Sequence, residues 1–525
     1  MKYSVMVAAL LAACMPTIAL DGEKERRPSA ACEDLTRLTL ANTTIESAME
    51  VSAGPFHVPG PAVQGRDPIL PAFCRVVGKT PPAITFEVWL PLDHWNGKFE
   101  GVGNGGTAGA ISYAPMVTAL TRGYATAGTD TGHVNTNMFD ASWAMHRPDL
   151  VEDFGHRSLH VTTVNAKALV RAFYGRRAQA AYYWGCSKGG QQGLMEAQRY
   201  PDDYDGIVAG DPANAWTRYY AGGHLWSALA TLKEPGSYIP ASKIPLLANA
   251  VTAACDALDG VRDGVLNDPR QCRFDPAALV CQDQEDGADC LTSKQVEAVR
   301  AIWRGARDSS GHTIFPGLLP GGEDGPGGWA TWTTGRAPMA SFHFLFANEF
   351  FKYAVFQNPD WDFRTFDYDK DMSLALKTVG GALDATDPDL QAFQRRGGKL
   401  IVYHGFSDPA ISPLNSIEYF ESVVGRIGQS RTHAQALRDT QSFFRLFMVP
   451  GMQHCTGGPG PSTFDTIGAL EQWAEHGIAP SRIIASHTTG GVADRTRPLC
   501  PYPESASYIG HGSTDDAASF VCVAQ

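Results

Sequence analysis

The sequence lacks the features that define several classes of protein. Basic residues are not in excess: 43 Lys and Arg stand against 55 Asp and Glu, a net charge of −12, which argues against a nucleic-acid or anionic-membrane partner. No two cysteines have the C-x₂₋₄-C spacing of a zinc cluster. Beyond the N-terminus no segment approaches the roughly 20 uninterrupted apolar residues of a membrane helix, so no transmembrane segment is predicted.

Length and composition are those of a globular protein with a large core. The chain has 525 residues, of which 44% are hydrophobic and 19% are charged. Because a single domain rarely exceeds about 250–300 residues, we expect either one domain with a large insertion or two domains.

The N-terminus predicts export. Met1-Lys2 precedes an apolar run that is too short to span a bilayer and fits a signal peptide over residues 1–19. The alternative is a lipoprotein signal, because Leu11-Ala12-Ala13-Cys14 resembles the box in which Cys14 is lipidated. The sequence therefore predicts a secreted or periplasmic protein, with anchoring at Cys14 as the alternative. Ten cysteines follow Cys14, and an even number in an exported chain suggests disulfides.

Strand and helix patterns alternate from about residue 83. Short apolar runs end at Gly, Asp or Pro with helix-length segments between them, which predicts a mostly parallel sheet. Residues 213–385 are rich in Gly, Pro and Trp and lack clear strands, so we interpret them as a lid inserted over a sheet domain of residues 20–212 and 386–525. The predicted strands are 84–90, 98–99 before a glycine-rich loop, 123–128, 181–184, 206–210, 399–403 and 444–449.

A sharp turn follows the predicted strand 181–184. Gly185-Cys186-Ser187-Lys188-Gly189 has the pattern G-x-S-x-G, and a predicted helix follows it at 191–199. Glycines permit the tight strand-to-helix turn that lifts a serine hydroxyl clear of a sheet and towards a helix N-terminus. This context favours Ser187 as a nucleophile over a plain glycine-rich turn.

A serine nucleophile needs a base and an acid, in the chain order Ser, then Asp or Glu, then His. His454 lies in the loop after the strand 444–449, and Asp408 lies in the loop after the strand 399–403. These positions suit a general base and the carboxylate that orients it. A surface-loop histidine and an aspartate that caps a turn are the alternatives, and spacing alone leaves them open.

The glycine-rich loop 101–106 also follows a strand. Glycine lets the backbone approach a substrate oxygen closely, so the loop is the expected second oxyanion donor beside the Lys188 amide. A nucleotide-phosphate loop is the rival interpretation. However, the complete dinucleotide signature, with its acidic residue about 20 positions further on in a βαβ unit, is missing.

An acidic turn lies within the predicted lid. Asp256, Asp259 and Asp263 fall within eight residues, between turn glycines. Hard oxygen ligands at this density suit calcium. The spacing is not that of an EF-hand loop, and a solvated acidic turn is the alternative.

At these motifs the sequence resembles the tannase and feruloyl esterase family of α/β-hydrolases and the polyester-monomer esterases related to it. The similarity extends from about Cys32 to Cys522. The segments that carry it are Trp95-Asn96-Gly97-Lys98-Phe99, Gly103-Asn104-Gly105-Gly106, Gly185-Cys186-Ser187-Lys188-Gly189-Gly190, Tyr204-Asp205-Gly206-Ile207-Val208-Ala209-Gly210, Cys255-Asp256-Ala257-Leu258-Asp259-Gly260, His404-Gly405-Phe406-Ser407-Asp408, Pro450-Gly451-Met452-Gln453-His454-Cys455 and Arg497-Pro498-Leu499-Cys500-Pro501-Tyr502-Pro503.

The resemblance implies an α/β-hydrolase fold with a large inserted lid domain and a set of functional residues. The triad would be Ser187, His454 and Asp408, with the oxyanion hole formed by the Gly106 and Lys188 amides. A structural calcium ion would bind the side chains of Asp256, Asp259 and Asp263 and the carbonyls of Val261 and Val265. The implied disulfides are Cys32–Cys74, Cys186–Cys455, Cys255–Cys272, Cys281–Cys290 and Cys500–Cys522.

The resemblance also implies a substrate class. We expect a serine carboxylic-ester hydrolase that cleaves small esters of hydroxycinnamic or related phenolic acids, attached to plant polysaccharide or tannin. A tannase acting on gallate esters is the runner-up, and an inactive hydrolase-fold binding protein is the rival from another class. A terephthalate-monoester hydrolase is a further alternative, although no lid arginine matches the one those enzymes use. Candidate pocket residues in the lid are Phe342, Phe344, Phe350, Phe351, Tyr353 and Trp361.

Overall fold

The computed structural model describes residues 28–59, 67–282, 286–429 and 431–524. The predicted signal peptide at 1–19 and the alternative lipidation site at Cys14 lie outside the described residues. Within the described part of the chain, no helix is long and apolar enough to cross a membrane.

The centre of the fold is a nine-stranded sheet in the order β1-β2-β3-β5-β4-β6-β7-β8-β9. The strands β1, β2, β3 and β5 pair antiparallel, whereas all pairs from β5 to β9 are parallel. The bounds are β1 (Thr44–Val51), β2 (Phe73–Thr80), β3 (Ile84–Pro91), β4 (Phe99–Val102), β5 (Ala125–Thr129), β6 (Ala181–Cys186), β7 (Gly206–Gly210), β8 (Lys399–Gly405) and β9 (Phe444–Val449).

Helices cover both faces of this sheet. Consecutive strand residues face opposite cores. Ile207 packs in one core with the helices Ser158–Tyr174, Lys188–Arg199 and Leu414–Ile427, and Val208 packs in the other with the helices Tyr113–Thr121 and Thr466–His476. Because both faces are covered, β7 is buried along its whole length. The longer helices are α1 (Tyr113–Thr121), α2 (Ser158–Tyr174), α3 (Lys188–Arg199), α4 (Ile244–Cys255), α5 (Ser293–Arg304), α6 (Phe342–Glu349), α7 (Leu414–Ile427), α8 (His433–Gln441) and α9 (Thr466–His476).

This strand order, with helices on both faces and a parallel carboxyl-terminal half, is the α/β-hydrolase fold that the sequence predicted. Its importance for function is the register of four neighbouring parallel strands. Cys186 pairs with Gly210, Gly210 with Tyr403, and Gly405 with Val449. The loops that follow β6, β7, β8 and β9 therefore emerge side by side at one edge of the sheet.

The insertion, residues 213–385, lies between β7 and β8. Among the described residues it contributes no strand to the nine-stranded sheet. It does contain a small antiparallel hairpin, Gly305–Arg307 with Thr313–Pro316, which the sequence did not predict. Its short helices at Trp216–Tyr219 and Trp226–Leu232, together with α6, enclose an aromatic core, while α4 and α5 enclose a second, more aliphatic core.

Among the described residues there are five disulfides, and all five are the pairs that the resemblance implies. They are Cys32–Cys74, Cys186–Cys455, Cys255–Cys272, Cys281–Cys290 and Cys500–Cys522. Five disulfides are typical of an extracellular protein, because thiols remain reduced in most cytosolic proteins.

Candidate active site

Ser187 occupies a strained turn between β6 and α3. Its backbone has φ 63° and ψ −118°, a combination that non-glycine residues avoid and that costs on the order of 1–3 kcal/mol. The Ser187 amide donates to the Gly210 carbonyl at 2.9 Å, which fixes the turn to the end of β7. The turn requires Gly190, since a Cβ there would lie 2.8 Å from Pro212 Cα. This is the conformation expected of a nucleophile elbow.

Asp408 and His454 form a buried acid–base pair. His454 Nδ1 lies 2.8 Å from Asp408 Oδ2, and their side chains are 10% and 0% exposed. The other oxygen, Asp408 Oδ1, accepts from the amides of Ala410 at 2.7 Å and Ile411 at 3.1 Å. The carboxylate is therefore held rigidly, so that Nε2 of His454 is the ring nitrogen left for another partner.

Asp408 and His454 each stabilise the charged form of the other. Burial alone would lower the pKa of His454, but the Asp408 carboxylate raises it above its usual value. Burial would likewise raise the pKa of Asp408, but His454 and His404 hold it well below its usual range. The structure thus favours an ionised Asp408 and an imidazole of increased basicity, which suits a general base.

The Cys186–Cys455 disulfide joins the candidate nucleophile to the candidate base. Cys186 immediately precedes Ser187, and Cys455 immediately follows His454. The two cysteine Cα atoms lie 6.0 Å apart although 269 residues separate them in sequence. The elbow and the histidine loop are therefore covalently linked next to both residues.

The glycine-rich loop packs directly against the elbow. The Gly103 amide donates to the Trp184 carbonyl at 2.9 Å. Gln192 on α3 accepts from the Asn104 amide at 3.0 Å and donates to the Asn104 side chain at 3.1 Å. Gly106 has φ +55°, and a Cβ there would lie 3.1 Å from the Met138 carbonyl. The Asn104–Gln192 pair thus fixes the loop that carries Gly106 relative to the helix that begins at Lys188.

The side chain of Lys188, whose backbone amide is an expected oxyanion donor, is buried. Its ammonium group lies 4.1 Å from the centre of the Phe154 ring and 5.3 Å from that of Trp216. Burial lowers the pKa of this lysine well below its usual value. Lys188 therefore anchors the start of α3 against the insertion and leaves its backbone amide beside Ser187.

Aromatic side chains lie on both sides of these groups. Trp332 meets His454 edge to face with ring centres 5.0 Å apart. A Cβ on Gly106 would lie 3.5 Å from Phe346 Cζ, so Phe346 lies beside the other end of the site. Trp332 and Phe346 are stacked 6.2 Å apart, and Phe139 contacts Phe346 at 4.7 Å. We call Trp332, Phe346 and Phe139 the aromatic wall.

The lid aromatics that the sequence suggested fall into two groups. Phe342 contacts Trp332 at 5.1 Å and so lies next to the aromatic wall. The others are placed away from it: Phe344 packs on Phe363, Phe350 on Tyr220 and Phe351, Trp361 on Phe351 and Phe356, and Tyr353 is half-buried at the following turn. The contacts of Phe344, Phe350, Phe351 and Trp361 belong to the aromatic core of the insertion.

The acidic turn forms a closed loop stabilised by its own carboxylates. Asp256 Oδ1 accepts from the Gly264 amide at 3.0 Å, Asp259 from the Val261 amide at 2.9 Å and Asp263 from the Val265 amide at 3.1 Å. Arg497 donates to Asp263 Oδ2 at 2.6 Å. The Cys255–Cys272 disulfide closes the loop. One disulfide-closed loop therefore holds three carboxylates, and Arg497 and Arg495 both contact Asp263, the second at 3.6 Å. Carboxylate and carbonyl oxygens are the ligands that calcium prefers.

Sequence reasoning missed several residues of the site. Trp332 and Gln192 carried no motif, since tryptophan and glutamine are common core and surface residues. Asp211 and His404 are both fully buried beside Asp408. Asp211 had a detectable signal, because a charged residue directly after a fully apolar parallel strand is placed at the functional edge of the sheet.

Comparison with known proteins is consistent with this geometry. Residues 68–523 match the family model "Tannase and feruloyl esterase". An uncharacterized esterase from Xanthomonas campestris pv. campestris is 43% identical over 94% of this chain and 91% of its own length. The mono(2-hydroxyethyl) terephthalate hydrolase of Piscinibacter sakaiensis is 36% identical over 87% of this chain and 85% of its own. The crystal structure of feruloyl esterase B from Aspergillus oryzae is similar with a TM-score of 0.84 and 29% identity, covering 94% of this chain and 99% of that one.

The fold and the family define the protein as a carboxylic-ester hydrolase of the α/β-hydrolase type. The chain belongs to the tannase and feruloyl esterase family, which its matched region and its relatives establish over nearly the whole length.

Proposed function

We propose that this enzyme hydrolyses esters of hydroxycinnamic or related phenolic acids through an acyl-enzyme formed on Ser187. The observation that carries the proposal is the aromatic wall, which places Trp332 against His454 and Phe346 beside Gly106. A flat aromatic acyl group held between these positions would have its carbonyl carbon next to the elbow. The resemblance to feruloyl esterase B supports the same substrate class.

The mechanism follows from the geometry. Ser187 Oγ attacks the ester carbonyl while His454 Nε2 takes the hydroxyl proton, and Asp408 stabilises the imidazolium through Nδ1. The amides of Gly106 and Lys188 donate to the oxyanion. The intermediate collapses with transfer of the proton from His454 to the departing alkoxide, which leaves as the alcohol. Water then attacks the acyl-enzyme, His454 again accepts and returns the proton, and the free acid departs.

A substrate panel tests this assignment. We expect hydrolysis of methyl ferulate and methyl caffeate with kcat/KM above that for methyl gallate and for a terephthalate monoester. A preference for gallate would instead support a tannase, and a preference for the terephthalate monoester would support that alternative. Absence of turnover on all four esters and on p-nitrophenyl acetate would contradict the proposed function.

Trp332→Ala tests the aromatic wall itself. Removal of one aromatic contact with a bound ring is worth about 1–3 kcal/mol, so kcat/KM for methyl ferulate should fall by roughly 10- to 100-fold. Turnover of p-nitrophenyl acetate, whose acyl group has no ring, should change much less.

The matched control is Trp361→Ala, another lid tryptophan, which stacks on Phe356 at 4.9 Å within the core of the insertion. It should lower the melting temperature but leave the ferulate-to-acetate ratio unchanged. An unchanged ratio in Trp332→Ala would remove Trp332 from the substrate site.

We also propose a structural calcium ion at the acidic turn. The side chains of Asp256, Asp259 and Asp263 would bind it, together with the carbonyls of Val261 and Val265. The support is the density of carboxylates in a loop closed by a disulfide, in which Asp263 is paired with Arg497 at 2.6 Å and with Arg495 at 3.6 Å. When bound, the ion would supply positive charge that stabilises this fold of the insertion.

Removal of calcium should lower the melting temperature by several degrees. A ligand that binds only the folded state stabilises it by about 2.7 kcal/mol at one hundred times its Kd, and chelation removes that contribution. The test is thermal unfolding with EGTA and after calcium is restored, together with elemental analysis.

Asp259→Asn should abolish the calcium dependence of melting. Asp367→Asn, in an exposed acidic turn of the same insertion, should preserve it. If EGTA leaves the melting temperature unchanged and elemental analysis finds no metal, the loop is a solvated acidic turn.

We propose further that the protein is secreted or periplasmic, exported by the signal peptide at 1–19 or lipidated at Cys14. The five disulfides support an oxidising location. The ester substrate would then be met outside the cell, attached to plant polysaccharide or tannin.

A further inference from the structure

A second buried carboxyl group lies beside the acid–base pair. Asp211 directly follows β7 as Asp408 follows β8, and its side chain is fully buried. The Asp211 amide donates to the Tyr403 carbonyl at 2.8 Å. One carboxyl oxygen each from Asp211 and Asp408 and a ring nitrogen of His454 all lie within 4.8 Å of one another. Two strand ends therefore each bring an acid to the same imidazole.

The contacts of Asp211 differ from those of Asp408. Asp211 Oδ1 accepts from the Gly405 amide at 2.8 Å. Asp211 Oδ2 lies 3.3 Å from Cys186 Sγ, which is part of a disulfide and has no proton to donate. Asp408 instead accepts two amides and faces two histidines. Asp211 thus has fewer donors to stabilise a negative charge, and a protonated Oδ2 could donate to the sulfur.

His404 lies close to both acids. Its Nδ1 lies 2.7 Å from Ser416 Oγ, and its Nε2 lies 3.2 Å from Asp408 Oδ2 and 3.7 Å from Asp211 Oδ1. Because Nε2 faces oxygen acceptors only, it carries the proton, and Nδ1 accepts from the Ser416 hydroxyl. The Nε2–H donates to Asp408 Oδ2 and to the Ile411 carbonyl at 3.1 Å, whereas Asp211 Oδ1, at 3.7 Å, lies close to it beyond hydrogen-bond distance.

The surroundings of Asp211 set its charge. The pKa of Asp211 is raised to about 7, chiefly by burial. The Asp408 carboxylate contributes to this increase, whereas His404 and His454 oppose it. Tyr403 is the other titratable neighbour, and burial raises its pKa so far that it stays neutral. The cluster thus holds one carboxylate, on Asp408, and a second carboxyl group that ionises near neutral pH.

We propose that Asp211 is a positioning residue for His454, a second acid that can take over from Asp408 in stabilising the imidazolium. The inference rests on the proposed Ser187–His454–Asp408 triad. With Asp408 present, Asp211 adds a negative charge to the cluster as the pH rises. Without Asp408, it is the remaining buried carboxyl group within reach of the same ring.

Asp408→Ala and the double variant Asp408→Ala/Asp211→Asn test this takeover. In a triad that has no second acid, loss of the aspartate lowers kcat by about 10⁴-fold. We expect Asp408→Ala to lose less, roughly 10²- to 10³-fold. Because the Asp408 carboxylate contributes to the raised pKa of Asp211, its removal lowers that pKa, and the residual rate should rise in the range below pH 7 where Asp211 then ionises. The double variant should lose at least about tenfold more and show no such rise.

Asp408→Asn is the matched control for Asp408→Ala. Its amide would donate to Nδ1 and fix the imidazole in the tautomer that cannot accept the serine proton, so it should be slower than the alanine variant despite its closer shape. Melting curves and peptide mapping of Cys186–Cys455 establish that each variant is folded.

Equal kcat/KM for Asp408→Ala and the double variant at every pH from about 6 to 9 would overturn the inference. If Ser187→Ala retained activity, the proposed triad itself would fail, so the two failures are distinct. The single variant Asp211→Asn leaves Asp408 in place and keeps the shape of the side chain at position 211. We expect kcat/KM of the unaltered enzyme to rise as Asp211 ionises near pH 7 and that of Asp211→Asn to lack this rise, and superimposable profiles would also overturn the inference.

Discussion

Ser187→Ala and His454→Ala should each reduce kcat by at least about 10⁴-fold while the protein remains folded. The half-buried Ser187 side chain is held in its turn by the backbone, through the Gly210 carbonyl, so removal of its hydroxyl leaves the elbow intact. His454 keeps its loop through the adjacent disulfide. The measurements are kcat on p-nitrophenyl butyrate and methyl ferulate, with thermal unfolding of each variant.

Ser293→Ala and His433→Ala are the matched controls, because both residues are exposed at the starts of helices. Each should keep a normal rate. A near-normal rate in Ser187→Ala or His454→Ala would refute the proposed triad.

Replacement of both Cys186 and Cys455 by alanine should have the second-largest effect. The disulfide spans 269 residues, and the chain-entropy model assigns a closure of this length about 5–6 kcal/mol of stability. We also expect kcat to fall by about tenfold or more well below the melting temperature, because misplacement of catalytic groups by about 1 Å can cost as much as 10²-fold. The rate and the unfolding free energy are measured on the same preparation.

The Cys281→Ala/Cys290→Ala variant separates the two effects. That disulfide spans only 9 residues within the insertion, so its loss should lower stability less and leave kcat unchanged. A Cys186→Ala/Cys455→Ala enzyme with lower stability but normal kcat would limit the disulfide to a stabilising role.

The sequence predicted the parallel half of the sheet well, because buried parallel strands have a distinctive pattern. Strands 206–210 and 444–449 have the predicted bounds in the structure, and 399–403 extends two residues further, to Gly405. In the antiparallel half, 84–90 was also predicted and extends one residue further, to Pro91. The strands β1 and β2 were missed. Their sequences, Thr44–Val51 and Phe73–Thr80, mix charged and apolar residues because they lie towards the antiparallel edge, where part of each strand faces solvent.

The residues of the site likewise divide into those that a local sequence pattern could indicate and those that depend on tertiary packing. Ser187, Asp408 and His454 each follow a strand, so local pattern indicated them as candidates, and the family resemblance favoured Asp408 and His454 over the alternatives. Trp332 could not be found this way, because its contact with His454 joins residues 122 positions apart through the packing of the insertion. The proximity of Asp211, His404 and Asp408 likewise depends on the register of β7 against β8, which no local pattern encodes.

The two ends of the insertion meet each other. The Ala385 amide donates to the Asn214 carbonyl at 2.7 Å, and the Thr217 amide donates to the Asp384 side chain at 2.7 Å. Residues 386–398 then return the chain to Lys399 at the start of β8, which pairs with Gly206 on β7. A segment attached in this way can lengthen, shorten or be exchanged between homologues without disturbing a single strand pairing. We expect chimaeras that exchange the whole insertion at these two junctions to keep the chemistry of the recipient and adopt the substrate preference of the donor.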